Sequence, residues 1–125
     1  MIDFNNASFF KLKAVANDQG MNMIGQIMLQ GEVVTHSFQS IRDMVIFTNM
    51  RIVAVNVQGL TGKKKDFSTL PFSKIQAFSV ETAGHFDLDS ELELWFSGLG
   101  KVKFEFTGST NISDICRVIG SYVLR

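Results

Sequence analysis

The sequence predicts a mainly β domain of the α+β class, with about seven antiparallel strands closed by a C-terminal helix. Three observations carry this. The spacing of apolar residues changes twice, from helical before Gly31 to extended between Glu32 and Thr107, and back to helical after Asn111. The segments Glu91–Phe96 and Lys101–Phe106 place an apolar residue at every second position, with Trp95 the one large apolar residue at an outward position. Glycines fall between the extended runs, at Gly59, Gly62, Gly84, Gly98 and Gly100.

Along the chain, residues 4–29 are apolar without alternation. Phe9, Leu12, Val15 and Ala16 recur at helical spacing, as do Met23, Ile24, Ile27 and Met28. Asn17-Asp18-Gln19-Gly20 separates the groups, so two short N-terminal helices are expected. Strands follow at Met44–Phe47, Arg51–Val57, Lys63–Leu70 and Ile75–Thr82, with Arg51–Val57 apolar on both faces like a central strand. A longer connection runs from Gly84 through Asp89. In the last two strands Leu92, Leu94, Phe96, Val102, Phe104 and Phe106 face inward. Ile112, Ile115, Cys116, Val118, Ile119, Tyr122 and Val123 make one face of the closing helix, with Asn111 as its N-cap. Val53, Val55, Leu92, Leu94, Val102, Phe104, Ile115 and Ile119 are expected to share one core. Residues 1–30 are read as a helical extension and 31–125 as the domain proper. Two curved sheets with a helix over one open end satisfy this order, as do other small sandwiches and barrels.

Length and composition narrow the function. At 125 residues and 46% apolar content, one core can form without metal or disulfide support. Lysine plus arginine equals aspartate plus glutamate, twelve each, which disfavours a general nucleic-acid binder. Cys116 is the only cysteine, so an internal disulfide is excluded and a reducing, cytoplasmic location is expected. Its apolar neighbours read it as buried. No apolar run approaches transmembrane length, and the N-terminus lacks the basic flank of a signal sequence.

Gly59-Leu60-Thr61-Gly62-Lys63-Lys64 has a superficial likeness to a phosphate-binding loop. Val57 stands where the first glycine is needed and Lys64 where the hydroxyl residue is needed. A hairpin turn explains the glycines better. His85, Asp87 and Asp89 would share a face in extended chain and could hold a metal, but the only other histidine is His36. An ordered loop fixed by its carboxylates is the simpler reading. No serine–histidine–acid order suggests nucleophilic catalysis, so no enzyme activity and no cofactor are expected. Trp95 points away from Leu94 and Phe96, toward either a partner or the N-terminal helices.

Blocks of the sequence resemble the bacterial pleckstrin-homology domain family. They are Ile41-Arg42-Asp43, Phe47-Thr48-Asn49-Met50-Arg51, Gly59-Leu60-Thr61-Gly62-Lys63-Lys64, Leu70-Pro71-Phe72 and Phe78 through Asp89, followed by Glu91-Leu92 and the closing helix. They arrive in order across residues 31–125. The resemblance implies a pleckstrin-homology-like barrel or sandwich, no catalytic activity and assembly into symmetric rings. It does not imply phosphoinositide binding. In lipid-binding eukaryotic relatives the loop of the first strand pair is basic; here Gln39–Asp43 holds one positive and one negative residue. The expected function is therefore a non-enzymatic module that associates with itself and with a protein partner, using Trp95, His85, Phe86 and Asp87. The alternative is weak contact with anionic lipid through Arg42, Lys63, Lys64 and Lys65, with Arg51 near by.

Overall fold

Leu92, Leu94 and Phe96 on one strand face the same interior as Val102, Phe104 and Phe106 on the next, and all six are buried. Alternation alone produces this, because successive side chains leave opposite faces of a strand. The computed structural model describes residues 1–124. Its strands are β1 (Ala7–Val15), β2 (Val34–Gln39), β3 (Met44–Thr48), β4 (Arg51–Gln58), β5 (Lys64–Pro71), β6 (Ile75–Glu81), β7 (Ser90–Phe96) and β8 (Gly100–Phe106). Its helices are α1 (Asn17–Ile24) and α2 (Ile112–Val123).

The strands form one curled eight-stranded sheet in the order β5-β4-β3-β2-β1-β8-β7-β6. All neighbours are antiparallel except β1 and β8. The mainly β architecture with a closing helix is as expected, but the N-terminal reading needs correction. Residues 7–15 are a strand, and only α1 and a single turn at Gly25–Ile27 are helical. β1 lies between β2 and β8, so the first thirty residues supply a strand of the sheet and the division at residue 30 falls inside it.

β1 joins the two halves of the sheet by changing partner. Ala7–Phe9 and Leu12 pair with β8, and Lys13–Val15 pair with β2. The register shifts between Phe9 and Leu12, where Lys11 takes a left-handed φ of 55°. This bulge lets Phe9 and Leu12 both face the core although they are three residues apart.

The main core lies inside the curl, where α2 packs with Ile112, Ile115 and Ile119. The Asn111 side chain caps α2 by accepting from the Asp114 backbone N–H at 3.1 Å. Cys116 is half-buried on the flank of this helix rather than in the core. A second cluster lies on the opposite face, where Ile24 of α1 covers Met44, Ile46, Val53 and Val55. Val53 and Val55 therefore leave the single core expected for them, and Ile52 and Ala54 take the inward positions of β4. Both faces of β4 are covered at Ile52–Val55, which is why that run is apolar on successive residues.

Candidate functional site

α1 covers the outer face of β2, β3 and β4 but not that of β6, β7 and β8. Ala77 and Ser79 of β6, Glu93 and Trp95 of β7 and Lys101 of β8 line a shallow groove of about 320 Å³ on this second face. Trp95 lies opposite Ala77 on one side and Lys101 on the other, and is 47% exposed. Its ring is not covered by α1, which removes that explanation for its outward position. Beside it Lys101 reaches Glu93 at 3.1 Å and Lys103 reaches Glu91 at 3.3 Å, so the rest of the face is a solvated charge ladder. β6 forms one end of the sheet order and has a strand on only one side.

His85, Phe86 and Asp87 lie in the β6–β7 connection. The Gly84 N–H donates to the Asp87 carbonyl at 2.6 Å, and the Asp89 N–H donates to the Asp87 carboxylate at 3.1 Å. Asp89 is held by Lys11 at 2.6 Å, a contact that raises the pKa of the lysine through its hydrogen bond and charge. These bonds order the loop while Phe86 remains 98% exposed. Trp95 is near the other end of β7, five positions from Ser90, or roughly 17 Å along the strand. Of the four residues expected at an interface, Trp95 therefore lies toward one end of β7 and His85, Phe86 and Asp87 beyond the other. Among the described residues no three of His, Cys, Asp or Glu are placed to hold a metal ion.

The basic residues divide differently. Lys63, Lys64 and Lys65 lie at the β4–β5 hairpin, which turns at Gly59 and Gly62 with φ of 76° and 70°. The Arg42 guanidinium donates to the Gly59 carbonyl, bringing the β2–β3 turn against this hairpin. Arg51 is at the opposite end of β4 and belongs to another group of residues. Its Nε and Nη2 donate to Glu32 at 2.8 and 2.9 Å, and it also reaches Thr69 and the Ile27 carbonyl. It is absent from the lysine patch.

A pocket of about 410 Å³, with His36, Thr35 and Asp114 in its lining, lies where β1 and β2 meet the start of α2, and no sequence signal marks it. His36 Nε2 lies 3.1 Å from Asp114, and Nδ1 lies 3.1 Å from the Thr35 hydroxyl. That hydroxyl is also 3.2 Å from the Phe47 carbonyl, an acceptor that competes for its proton. The imidazole stacks over Phe38 with 5° between the rings. Its contacts join α2 to β2 across 78 positions of sequence, a separation that no local motif reveals.

A curled, mainly antiparallel sheet closed by one C-terminal helix defines the pleckstrin-homology-like class. The family model for the bacterial PH domain matches residues 3–123, and the chain belongs to that family. It is 42% identical over 118 residues to the uncharacterized protein YjqA of Bacillus subtilis (strain 168), covering 93% of this chain and 90% of that one. A DUF1696 family protein with a pleckstrin-homology domain from Shewanella loihica PV-4 superposes with a TM-score of 0.80 at 35% identity, covering 92% and 99% of the two chains. A pleckstrin homology domain from Shewanella amazonensis SB2B gives 0.68 at 33% identity, covering 89% and 90%. Among the described residues no helix is long and apolar enough to cross a membrane.

Proposed function

We propose that this bacterial PH domain is a non-catalytic interaction module of the cytoplasm that associates with copies of itself and presents the assembly to a protein partner. The observation that carries this reading is the contrast between the two outer faces. One is covered by α1; the other exposes Trp95 beside the singly paired strand β6. A large aromatic surrounded by a charged rim is the composition of an interface centre. A strand with one open side can extend its ladder into another chain. Repeated contacts of this kind close into a ring when the rotation between subunits permits. Light scattering of wild-type protein and Trp95→Asp tests the reading, with a higher mass expected for the wild type and a shift toward monomer in the variant.

A second reading is supported by the contact of Arg42 with the lysine hairpin. In this reading Arg42, Lys63, Lys64 and Lys65 meet an anionic lipid surface. The equal totals of acidic and basic residues give no long-range attraction, so such binding would depend on that local patch.

A further inference from the structure

Of the three strands on the uncovered face, β6 alone has an open side, and its outward residues change character along it. Phe78 and Val80 pack toward the main core, so Ala77, Ser79 and Glu81 point outward, and all three are exposed. Ala77 stands opposite Trp95, and Ser79 opposite Glu93. Strands favour β-branched and aromatic residues, so strand propensity gives no reason for alanine and serine here. Their effect is steric. Two short side chains beside a large ring leave the groove of about 320 Å³ at the margin of the sheet.

At the far end of β6 the face turns acidic. Glu81, Glu91 and Glu105 stand in one cross-strand row. Like charges directly opposite one another are destabilising. Lys103 offsets Glu91 at 3.3 Å, and Lys11 lies 3.8 Å from Glu105. Glu81, at the open side, has no ion pair among the described residues. A residue on a strand added beyond β6 would lie directly opposite Glu81, and a cation there would offset the charge that the row leaves over.

We propose that β6 takes an extended segment of the protein partner as an added antiparallel strand, with a lysine or arginine opposite Glu81 and, four residues later, a large apolar side chain opposite Ala77 and against Trp95. The proposal rests on the reading of this face as the interface and names the chemistry of the segment it receives. Backbone ladder bonds supply affinity common to any extended chain, and the two side-chain positions supply selectivity. The spacing follows from β6 itself, because Ala77 and Glu81 lie on one face with Ser79 between them.

The test uses the full chain and capped peptides, with Trp95 as the reporter because it is the only tryptophan. In acetyl-TKVTVLT-amide the lysine precedes the leucine by four positions. A saturable shift of Trp95 emission to shorter wavelength is expected, since the leucine removes water from the ring. Replacing the peptide's lysine by glutamate should weaken binding about three- to fivefold. In Glu81→Lys that preference should reverse, and the exposed position should leave the thermal transition unchanged. N-methylation of the three central peptide residues should abolish the shift, because it blocks the ladder bonds. No shift with the lysine peptide overturns the proposal, whatever the mass of the protein. An undiminished shift with the N-methylated peptide overturns strand addition, and a preference unchanged in Glu81→Lys overturns the basic partner. Emission that moves on diluting the protein but not on adding peptide assigns the edge to a second copy of this chain and overturns the proposal. Light scattering of the same samples separates the two readings: a subunit mass with saturable peptide binding supports the proposal and contradicts self-association alone.

Discussion

Arg51 grips Glu32 with two nitrogens, Nε at 2.8 Å from one carboxylate oxygen and Nη2 at 2.9 Å from the other. Glu32 is buried, and it also accepts from the Thr48 hydroxyl at 2.7 Å and the Leu29 N–H at 3.0 Å. The pair therefore fastens the segment after α1 to the β3–β4 hairpin. The Arg51 hydrogen bond is the largest cause of a Glu32 pKa lowered from the ordinary 4.5 to about 2, with burial opposing it and Leu29 and Thr48 assisting.

Acid should expose this linkage. Because the folded-state pKa is depressed, the contribution is fully present above about 4.5 and is lost as pH falls through about 2. It should amount to roughly 3 kcal/mol in urea denaturation followed over this range. Glu32→Gln should remove most of that dependence. An unchanged pH slope in the variant would assign the acid sensitivity elsewhere.

Removing the other partner should cost more than the pair contributes. Arg51→Ala leaves the Glu32 carboxylate buried without its cation, with an expected loss of about 3–5 kcal/mol at neutral pH. Adding Glu32→Gln to Arg51→Ala should recover part of it. A double variant no better than the single one would show that packing of the arginine stem, not the stranded charge, dominates.

Two aromatic residues on neighbouring strands should respond oppositely. Phe104→Ala opens a cavity in the main core and should cost about 3–5 kcal/mol. Trp95→Asp leaves that core untouched and should change monomer stability by less than about 1 kcal/mol. Chemical denaturation of both variants at low protein concentration makes the comparison. Comparable losses would mean that Trp95 packs against its own chain.

Gly20 lets α1 lie close against β2. A Cβ there would lie 2.1 Å from the Ser37 hydroxyl and 3.3 Å from an Ile46 methyl. Gly20→Val should lift α1 from the second hydrophobic cluster while the main core survives. Hydrogen exchange should quicken in α1 and in the strands beneath it and stay slow in β7 and β8. Uniformly faster exchange would mean that the two clusters melt as one unit.

These residues also explain what could be read beforehand. β7, β8 and α2 were legible because their periods are unbroken and Asn111 caps the helix as its chemistry suggests. β1 was hidden by its bulge. The shift at Lys11 puts Phe9 and Leu12 on one face at a spacing of three, which imitates a helix. Gly20 looked like a break, yet it lies inside α1 because the close approach to β2 leaves little room for a side chain. Outward projection of Trp95 followed from alternation, whereas its separation from the His85–Asp87 loop depended on that loop entering β7 at its Ser90 end, with Trp95 near the other end. The contact of Arg42 with Gly59 and the pairing of His36 with Asp114 come from tertiary folding and leave no spacing signal.

The most direct test of the central claim is the solution mass at micromolar concentration. Light scattering should give a multiple of the 14.0 kDa subunit for wild type and a shift toward the subunit mass for Trp95→Asp. A mass of 14.0 kDa for wild type across the accessible concentration range would contradict self-association. An oligomer unaffected by Trp95→Asp would contradict the assignment of this face as the interface.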